Sequence, residues 1–296
     1  MVELGRLLTA MVTPFNGKGE VDYGQAKKLA LALLDSGSQG FILSGTTGEA
    51  PTLSVEEKLK LFAEVKSTIG DSGSVVANTG TYNTAASVEL TKEAEKAGAD
   101  AILMVVPPYN KPSQEGLYQH FKAIAAATKL PCMLYNVPGR TVTNLAVDTV
   151  IRLSKIANIV AVKEASGNLI QIAKIIEGTA DDFMTYSGND GDTFPVVAMG
   201  GYGVVSVVAH LVGLQMRDMI DKTLAGNNKE AAAIHRGLLP LIDAMFMVSN
   251  PCPTKHALNK IGMNVGETRL PLVMPDEKSA AAIDAVLKNY TIDIKP

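Results

Sequence analysis

Eight short apolar runs, each followed by a stretch with helical spacing, restrict the fold of this chain more than any other feature. Their lengths and β-branched residues are typical of strands buried on both faces. Strands that alternate with helices pair in parallel through right-handed crossovers. We therefore expect an α/β protein with a closed (β/α)8 TIM barrel. The predicted strands are Leu7–Val12, Gly40–Leu43, Ser74–Asn78, Ala101–Val106, Cys132–Asn136, Ile159–Lys163, Phe183–Ser187 and Gly203–Val207.

The stretches between these runs carry helix signals. Ser54 and Glu57 have the spacing of a capping box, and Gly98 stands where a glycine commonly ends a helix. A doubly wound open sheet is the alternative fold, but no G-x-G-x-x-G follows the first strand. The predicted helices are 23–35, 54–69, 84–97, one that ends near 128, 145–155, 168–178 and 192–199.

The last part of the chain has no further clear strands and is predicted to be helical. Gly226 ends one helix, and a final helix is expected near Lys278–Tyr290. We expect the barrel to occupy residues 1–225 and a helical C-terminal extension to occupy residues 226–296.

Composition excludes several classes of function. A net charge of -3 and a pI near 5.9 give no reason to expect nucleic acid or an anionic membrane as a partner. The two cysteines, Cys132 and Cys252, indicate a reducing compartment. Residues 1–6 lack a signal pattern and no apolar stretch is long enough to span a membrane, so a cytoplasmic location is expected. The four histidines lack zinc-site spacings, and no catalytic metal is predicted.

Lys163 ends the sixth predicted strand, directly after the apolar run Ile159–Val162. Burying an ammonium group costs free energy, and a buried lysine therefore tends to lose its proton. The neutral amine is a nucleophile that forms Schiff bases with carbonyl compounds. The alternative is a lysine whose charged end simply reaches solvent.

The other strand ends add polar groups, because active sites of (β/α)8 barrels lie at the C-terminal ends of the strands. Tyr135 lies on the adjacent strand, where it is either core or a general acid and base. Arg140 is either a surface charge or a fork for a carboxylate. The residues expected at this mouth are Thr46, Thr47, Tyr109, Tyr135, Arg140, Lys163, Gly188, Val205 and Ser206.

Two glycine-rich loops also reach the mouth. Gly45–Glu49 is either an ordinary turn or a loop whose amides and threonines hold a carboxylate and pass a proton. It is not a phosphate-binding P-loop, because no Gly-Lys-Ser/Thr follows. For Gly200–Gly203 we favour a tight turn or close ligand approach over a phosphate site.

Three segments together resemble the dihydrodipicolinate synthase / N-acetylneuraminate lyase family: Gly45–Glu49, Tyr135–Thr141 and Val162–Ala165. The resemblance extends over essentially the whole chain. It implies a pyruvate-dependent class I aldolase that needs no metal or organic cofactor. In such an enzyme Lys163 forms the Schiff base and Tyr135 donates and accepts protons.

The same resemblance implies roles for the remaining residues of the mouth. Thr46, Tyr135 and Tyr109 would form a proton relay, with Tyr109 reaching in from a neighbouring subunit of a homotetramer. Thr47 and Val205 would contact pyruvate, and Gly188 would line the substrate pocket.

The segment Pro138–Thr141 resembles the synthase branch of the family, in which Arg140 binds the carboxylate of L-aspartate 4-semialdehyde. The reaction implied is condensation of this aldehyde with pyruvate to 4-hydroxy-tetrahydrodipicolinate, in lysine and diaminopimelate biosynthesis. Another pyruvate aldolase, such as a sugar-acid lyase, is the alternative enzyme. A catalytically silent relative is the alternative of a different class, and the presence of Lys163, Tyr135, Thr46 and Tyr109 argues against it.

One group of positions departs from relatives that lysine inhibits. Those relatives resemble one another in a polar pocket at the dimer interface, whereas most of the matching residues here bind an amino acid poorly. We therefore expect weak inhibition by lysine, or none. The residues are Ala50, Pro51, Val55, Lys58, Tyr82, Ala86 and Pro108.

Overall fold

The computed structural model describes residues 4–296. Within that range eight parallel strands close into a barrel in chain order, with the first strand paired to the last. The predicted (β/α)8 TIM barrel is therefore confirmed. Residues 1–3, part of the segment for which the sequence predicts no signal peptide, lie outside the described range. The strands are β1 Leu7–Ala10, β2 Gly40–Leu43, β3 Ser74–Asn78, β4 Ala101–Val105, β5 Cys132–Asn136, β6 Ile159–Glu164, β7 Met184–Ser187 and β8 Gly203–Ser206.

Helices alternate with these strands, as the apolar spacing predicts. The capping box at Ser54 and Glu57 forms in full, and Gly98 adopts a φ of 89° behind the third helix. The structure also contains two short 3₁₀ helices, Ala50–Thr52 and Asp190–Asp192. The helices up to β8 are α1 Tyr23–Asp35, α2 Val55–Ile69, α3 Thr84–Lys96, α4 Gln114–Ala125, α5 Pro138–Thr141, α6 Val147–Leu153, α7 Leu169–Gly178 and α8 Thr193–Ala198.

Five strand ends differ from the sequence prediction, those of β4, β7 and β8 by one residue each. β1 stops at Ala10 rather than Val12, because the Val12 amide donates to Nε2 of His210 and not to a neighbouring strand. β6 continues one residue past Lys163, so that Glu164 belongs to the strand. Lys163 is consequently held by strand pairing on both sides, from Tyr135 and from Tyr186.

The buried apolar residues form two main clusters, one on each face of the barrel wall. The larger cluster lies between strands and helices and includes Phe41, Phe62 and Phe121. The smaller cluster fills the barrel interior and includes Tyr135 and Tyr186. Burial of strands on both faces explains why their sequences are continuous apolar runs.

The C-terminal part is helical, as predicted, with α9 Ala209–Leu224, α10 Asn228–Met245, α11 Cys252–Lys260 and α12 Glu277–Leu287. Gly226 has a φ of 79° and separates α9 from α10. The division of the chain at residue 225 falls just after α9 and stays a prediction. Among residues 4–296 no helix is both long and apolar enough to cross a membrane.

Candidate active site

Lys163 and Tyr135 face each other across neighbouring strands at the mouth of the barrel. They are register partners in the β5–β6 pair, and Nζ of Lys163 lies 4.2 Å from the centre of the Tyr135 ring. Their exposed fractions are only 6% and 5%. A buried amine beside a phenol is the pair of groups that Schiff base chemistry requires, a nucleophile and a group that can move protons.

Gly188 follows β7 and packs against the stem of this lysine. A Cβ atom at Gly188 would lie 2.7 Å from Cβ of Ala165 and 3.1 Å from Cγ of Lys163. Both distances are shorter than packed side chains tolerate. The absence of a side chain therefore lets the end of β7 approach the lysine closely.

Tyr135 borders a cleft of about 590 Å³, whereas Lys163 is not among the residues that line it. Thr46, Tyr135 and Arg140 all line it, together with Asn78 and Val105. No aspartate or glutamate of the described residues is among its lining side chains. Its permanent charges are cationic, which suits a ligand that carries carboxylates.

Arg140 reaches the cleft from the short helix α5, which begins at Pro138 directly after β5. Its side chain is exposed, and within residues 4–296 it forms no ion pair with a carboxylate. A free guanidinium at the cleft can bind a substrate carboxylate through two parallel hydrogen bonds.

The loop Gly45–Glu49 follows β2 and is held in place from behind. Ser44, just before the loop, and Glu49, its last residue, have φ of 54° and 56°. Asn78 donates to the Ser44 carbonyl over 2.8 Å. Thr46 turns toward the cleft, whereas Thr47 is only 4% exposed. The Thr47 hydroxyl oxygen accepts a 2.8 Å hydrogen bond from Asn250.

A buried ion pair anchors the end of the same loop. Nζ of Lys255 lies 2.7 Å from Oε1 of Glu49, and both side chains are fully buried. The Arg269 amide donates to the other carboxylate oxygen. Burial lowers the pKa of Lys255, while the Glu49 charge opposes that change. Two residues of the C-terminal part thus fix the loop that carries Thr46 and Thr47.

The comparisons with known proteins agree with this geometry. A family model described as the dihydrodipicolinate synthetase family matches residues 3–290. The chain belongs to this family. A 4-hydroxy-tetrahydrodipicolinate synthase of Dehalococcoides mccartyi is 60% identical over 294 residues, covering 99% of each chain. One from Moorella thermoacetica is 53% identical over 287 residues, covering 97% of this chain and 98% of the relative.

Solved structures of the dihydrodipicolinate synthetase family superpose closely. The Bacillus anthracis dihydrodipicolinate synthase is 47% identical with a TM-score of 0.96, covering 98% of this chain and 100% of that one. The Cyanidioschyzon merolae protein, solved with lysine bound, is 45% identical with a TM-score of 0.95, covering 96% and 97%.

Five residues named from the resemblance are not among the side chains that line the cleft: Thr47, Tyr109, Lys163, Gly188 and Val205. Tyr109 projects into solvent with 91% of its surface exposed. Val205 is 1% exposed and packs in the barrel interior with Tyr135. Thr47 lies behind the cleft surface, bonded to Asn250.

Sequence reasoning missed Glu164, a fully buried carboxylate that directly follows Lys163. It accepts hydrogen bonds from Nδ2 of Asn136 at 3.0 Å, from the Ser166 amide at 2.7 Å and from Nε2 of Gln171 at 3.0 Å. Asn136 directly follows Tyr135, so its bond to Glu164 links the residues that come directly after Tyr135 and Lys163. The signal that could have revealed Glu164 in the sequence is a glutamate directly after a lysine at the end of a strand.

Asp190 is a second buried carboxyl group that the sequence did not single out. It accepts hydrogen bonds from the Ser206 hydroxyl and the Val207 amide. Burial raises the pKa of Asp190, and these hydrogen bonds together with the charge of Lys163 oppose the rise. Ser206, expected at the mouth, is therefore engaged with Asp190.

Six of the seven residues compared above with lysine-inhibited relatives come together in the structure, whereas the seventh, Val55, is exposed and lies outside the cleft. Ala50, Pro51, Lys58, Tyr82, Ala86 and Pro108 line the same cleft as Arg140. Lys58 is the charged member, and burial lowers its pKa. No group of three or more metal-binding side chains was found in residues 4–296, and both cysteines are free and buried.

Proposed function

We propose that this protein condenses pyruvate with L-aspartate 4-semialdehyde to 4-hydroxy-tetrahydrodipicolinate, a step of lysine and diaminopimelate biosynthesis. The buried Lys163 beside Tyr135 is the observation that carries the proposal. Membership of the family and full-length relatives named as this synthase support the choice of reaction. The chemistry requires no metal or organic cofactor, because a protonated imine is itself an electron sink.

The reaction begins when Nζ of Lys163 attacks the ketone carbon of pyruvate. The carbinolamine loses water to give an iminium ion, and Tyr135 supplies and removes the protons. The pyruvate methyl group then loses a proton and becomes an enamine carbon. Burial of both side chains keeps bulk water from hydrolysing the imine.

The enamine carbon attacks the aldehyde carbon of the second substrate, whose carboxylate Arg140 binds. The amine of that substrate next attacks the iminium carbon, closes the ring and releases the Lys163 amine. One water is lost overall, and the enzyme returns to its starting state.

We assign the remaining roles by the same proposal. Thr46 and Tyr109 extend the proton relay from Tyr135, with Tyr109 coming from a second subunit. The 91% exposure of Tyr109 supports this, because an aromatic side chain so exposed suits an interface between copies of the chain. Thr47 and Val205 contact pyruvate, and Gly188 lines its pocket. A homotetramer in the cytoplasm is the assembly and location proposed.

A sugar-acid lyase is the second candidate, because it shares the pyruvate chemistry. Arg140 favours the synthase, since it places a free guanidinium in the cleft beside Tyr135. Comparing turnover of aspartate semialdehyde with turnover of sugar acids decides between them.

Borohydride reduction in the presence of pyruvate, followed by peptide mass spectrometry, tests the mechanism. We expect one pyruvyl adduct, on Lys163, and none in Lys163→Met. Lys255 is a matched internal control, because it is also buried but is paired with Glu49. No adduct, or an adduct on Lys255 or Lys58 instead, overturns the proposal.

A further inference from the structure

Asn250 joins the C-terminal part of the chain to the active-site loop. It lies just before α11, is 6% exposed, and donates from Nδ2 to Oγ1 of Thr47 over 2.8 Å. The two residues are 203 positions apart in sequence. The contact therefore depends on the packing of the C-terminal helices against the mouth of the barrel.

The direction of this bond decides what Thr47 can do. A hydroxyl group has one proton to donate and two lone pairs that accept. Because Asn250 donates to it, Thr47 keeps its proton for another acceptor. A carboxylate has acceptors alone and needs such a donor.

The other end of the amide adds to this picture. Oδ1 of Asn250 is buried and has no hydrogen-bond partner among the described residues. A buried acceptor without a partner costs free energy. The bond from Nδ2 to Thr47 is thus the side-chain contact that orients the Asn250 amide. This orientation leaves Oδ1 without a partner among the described residues.

A second contact from the same segment fixes the backbone of the loop. Lys255, five positions after Asn250, forms the buried ion pair with Glu49. This pair anchors the end of the loop but does not touch the Thr47 hydroxyl. The two contacts therefore have separable effects, one on the loop and one on the hydroxyl proton.

We propose that Asn250 is a positioning residue, which aims the Thr47 hydroxyl proton at the carboxylate of bound pyruvate. This inference rests on the proposed function, in which Thr47 contacts pyruvate. It makes the C-terminal part a contributor to pyruvate binding.

Asn250→Asp is the sharpest test, because it keeps the shape of the side chain and reverses the hydrogen bond. The carboxylate would accept the Thr47 proton and repel the substrate carboxylate. We expect KM for pyruvate to rise about 10- to 100-fold, consistent with loss of a hydrogen bond to a charged group. KM for aspartate semialdehyde is expected to change less than about threefold, since Arg140 is untouched.

A double-mutant cycle with Asn250→Ala and Thr47→Val separates positioning from general disruption. We expect each single variant to raise KM for pyruvate, and Asn250→Ala to add less than about twofold in the Thr47→Val background. Circular dichroism and thermal unfolding show that the variants are folded. An unchanged KM for pyruvate in Asn250→Asp, or single effects that multiply in the double variant, overturns the inference. If wild type itself forms no pyruvyl adduct on Lys163, the proposed function fails instead.

Discussion

Nδ2 of Asn136 lies 3.0 Å from Oε2 of Glu164, and this bond joins the residues that directly follow Tyr135 and Lys163. The strand register already pairs Tyr135 with Lys163 and Asn136 with Glu164. The side-chain bond adds a constraint on the outer face of the same two strands. The distance between the Lys163 amine and the Tyr135 phenol is therefore constrained twice, by their own register and by the bond between the residues that follow them.

Glu164→Gln is predicted to weaken this arrangement. The substituted amide must turn an N–H group toward the donors Asn136, Ser166 and Gln171, which leaves donors facing each other. We expect a loss of about 1–3 kcal/mol in the free energy of unfolding and a lower kcat. Denaturant unfolding and steady-state kinetics measure both. Glu177→Gln, at an exposed position of α7, is the control and should behave as wild type. Equal behaviour of the two variants would show that the buried network has no such role.

Gly188→Ala is predicted to displace Lys163. The new Cβ would lie 3.1 Å from Cγ of Lys163 and 2.7 Å from Cβ of Ala165, and overpacking of this kind costs about 1–3 kcal/mol. We expect pyruvate-dependent borohydride trapping to slow by roughly tenfold or more, as about 1.4 kcal/mol corresponds to tenfold.

The matched control for this variant is Gly237→Ala in α10, where nothing lies within 4 Å of an added Cβ. It should leave trapping unchanged and stabilise the protein slightly, because alanine favours a helix. A Gly188→Ala enzyme that traps pyruvate at the wild-type rate would contradict the close packing inferred at the lysine.

The fold was predictable because its signals are local. Continuous apolar runs such as Cys132–Asn136 mark strands buried on both faces, and capping residues such as Ser54 mark helix starts. The strand-end position of Lys163 and Tyr135 follows from the same pattern. Contacts between distant segments carry no local signal, and so the bond from Asn250 to Thr47 and the Glu49–Lys255 pair could not be foreseen.

His210 is predicted to make the protein less stable at acidic pH. Its Nε2 accepts from the Val12 amide at 3.1 Å, and its Nδ1 lies 2.8 Å from the Val207 carbonyl oxygen, so the neutral ring satisfies both contacts. Burial lowers the pKa of His210 to about 4. The unfolded chain, with a histidine pKa of about 6.5, therefore takes up the proton first. The contribution of His210 to the free energy of unfolding is therefore fully present above about pH 6.5. It falls by roughly 3 kcal/mol in total as the pH drops toward 4.

Thermal unfolding between pH 7.5 and 4.5 measures this effect. His210→Gln should be less stable than wild type at neutral pH but lose less stability on acidification. His120, whose pKa burial also lowers to about 4, keeps a second contribution in that variant. His256→Gln is the control, because His256 is partly exposed and pairs with Asp284. An unchanged pH slope in His210→Gln would contradict the assignment.

Lysine is predicted to inhibit this enzyme weakly or not at all. The cleft that holds Ala50, Pro51 and Ala86 presents no carboxylate to an ammonium group, and Lys58 repels it. Initial rates at sub-millimolar lysine should match those without lysine, and calorimetry should detect no binding in that range. Lys58→Gln with Ala86→Glu removes the cation and adds a carboxylate, so any gain of lysine binding in this variant would locate the determinant. Inhibition of the wild-type enzyme by sub-millimolar lysine would contradict this prediction.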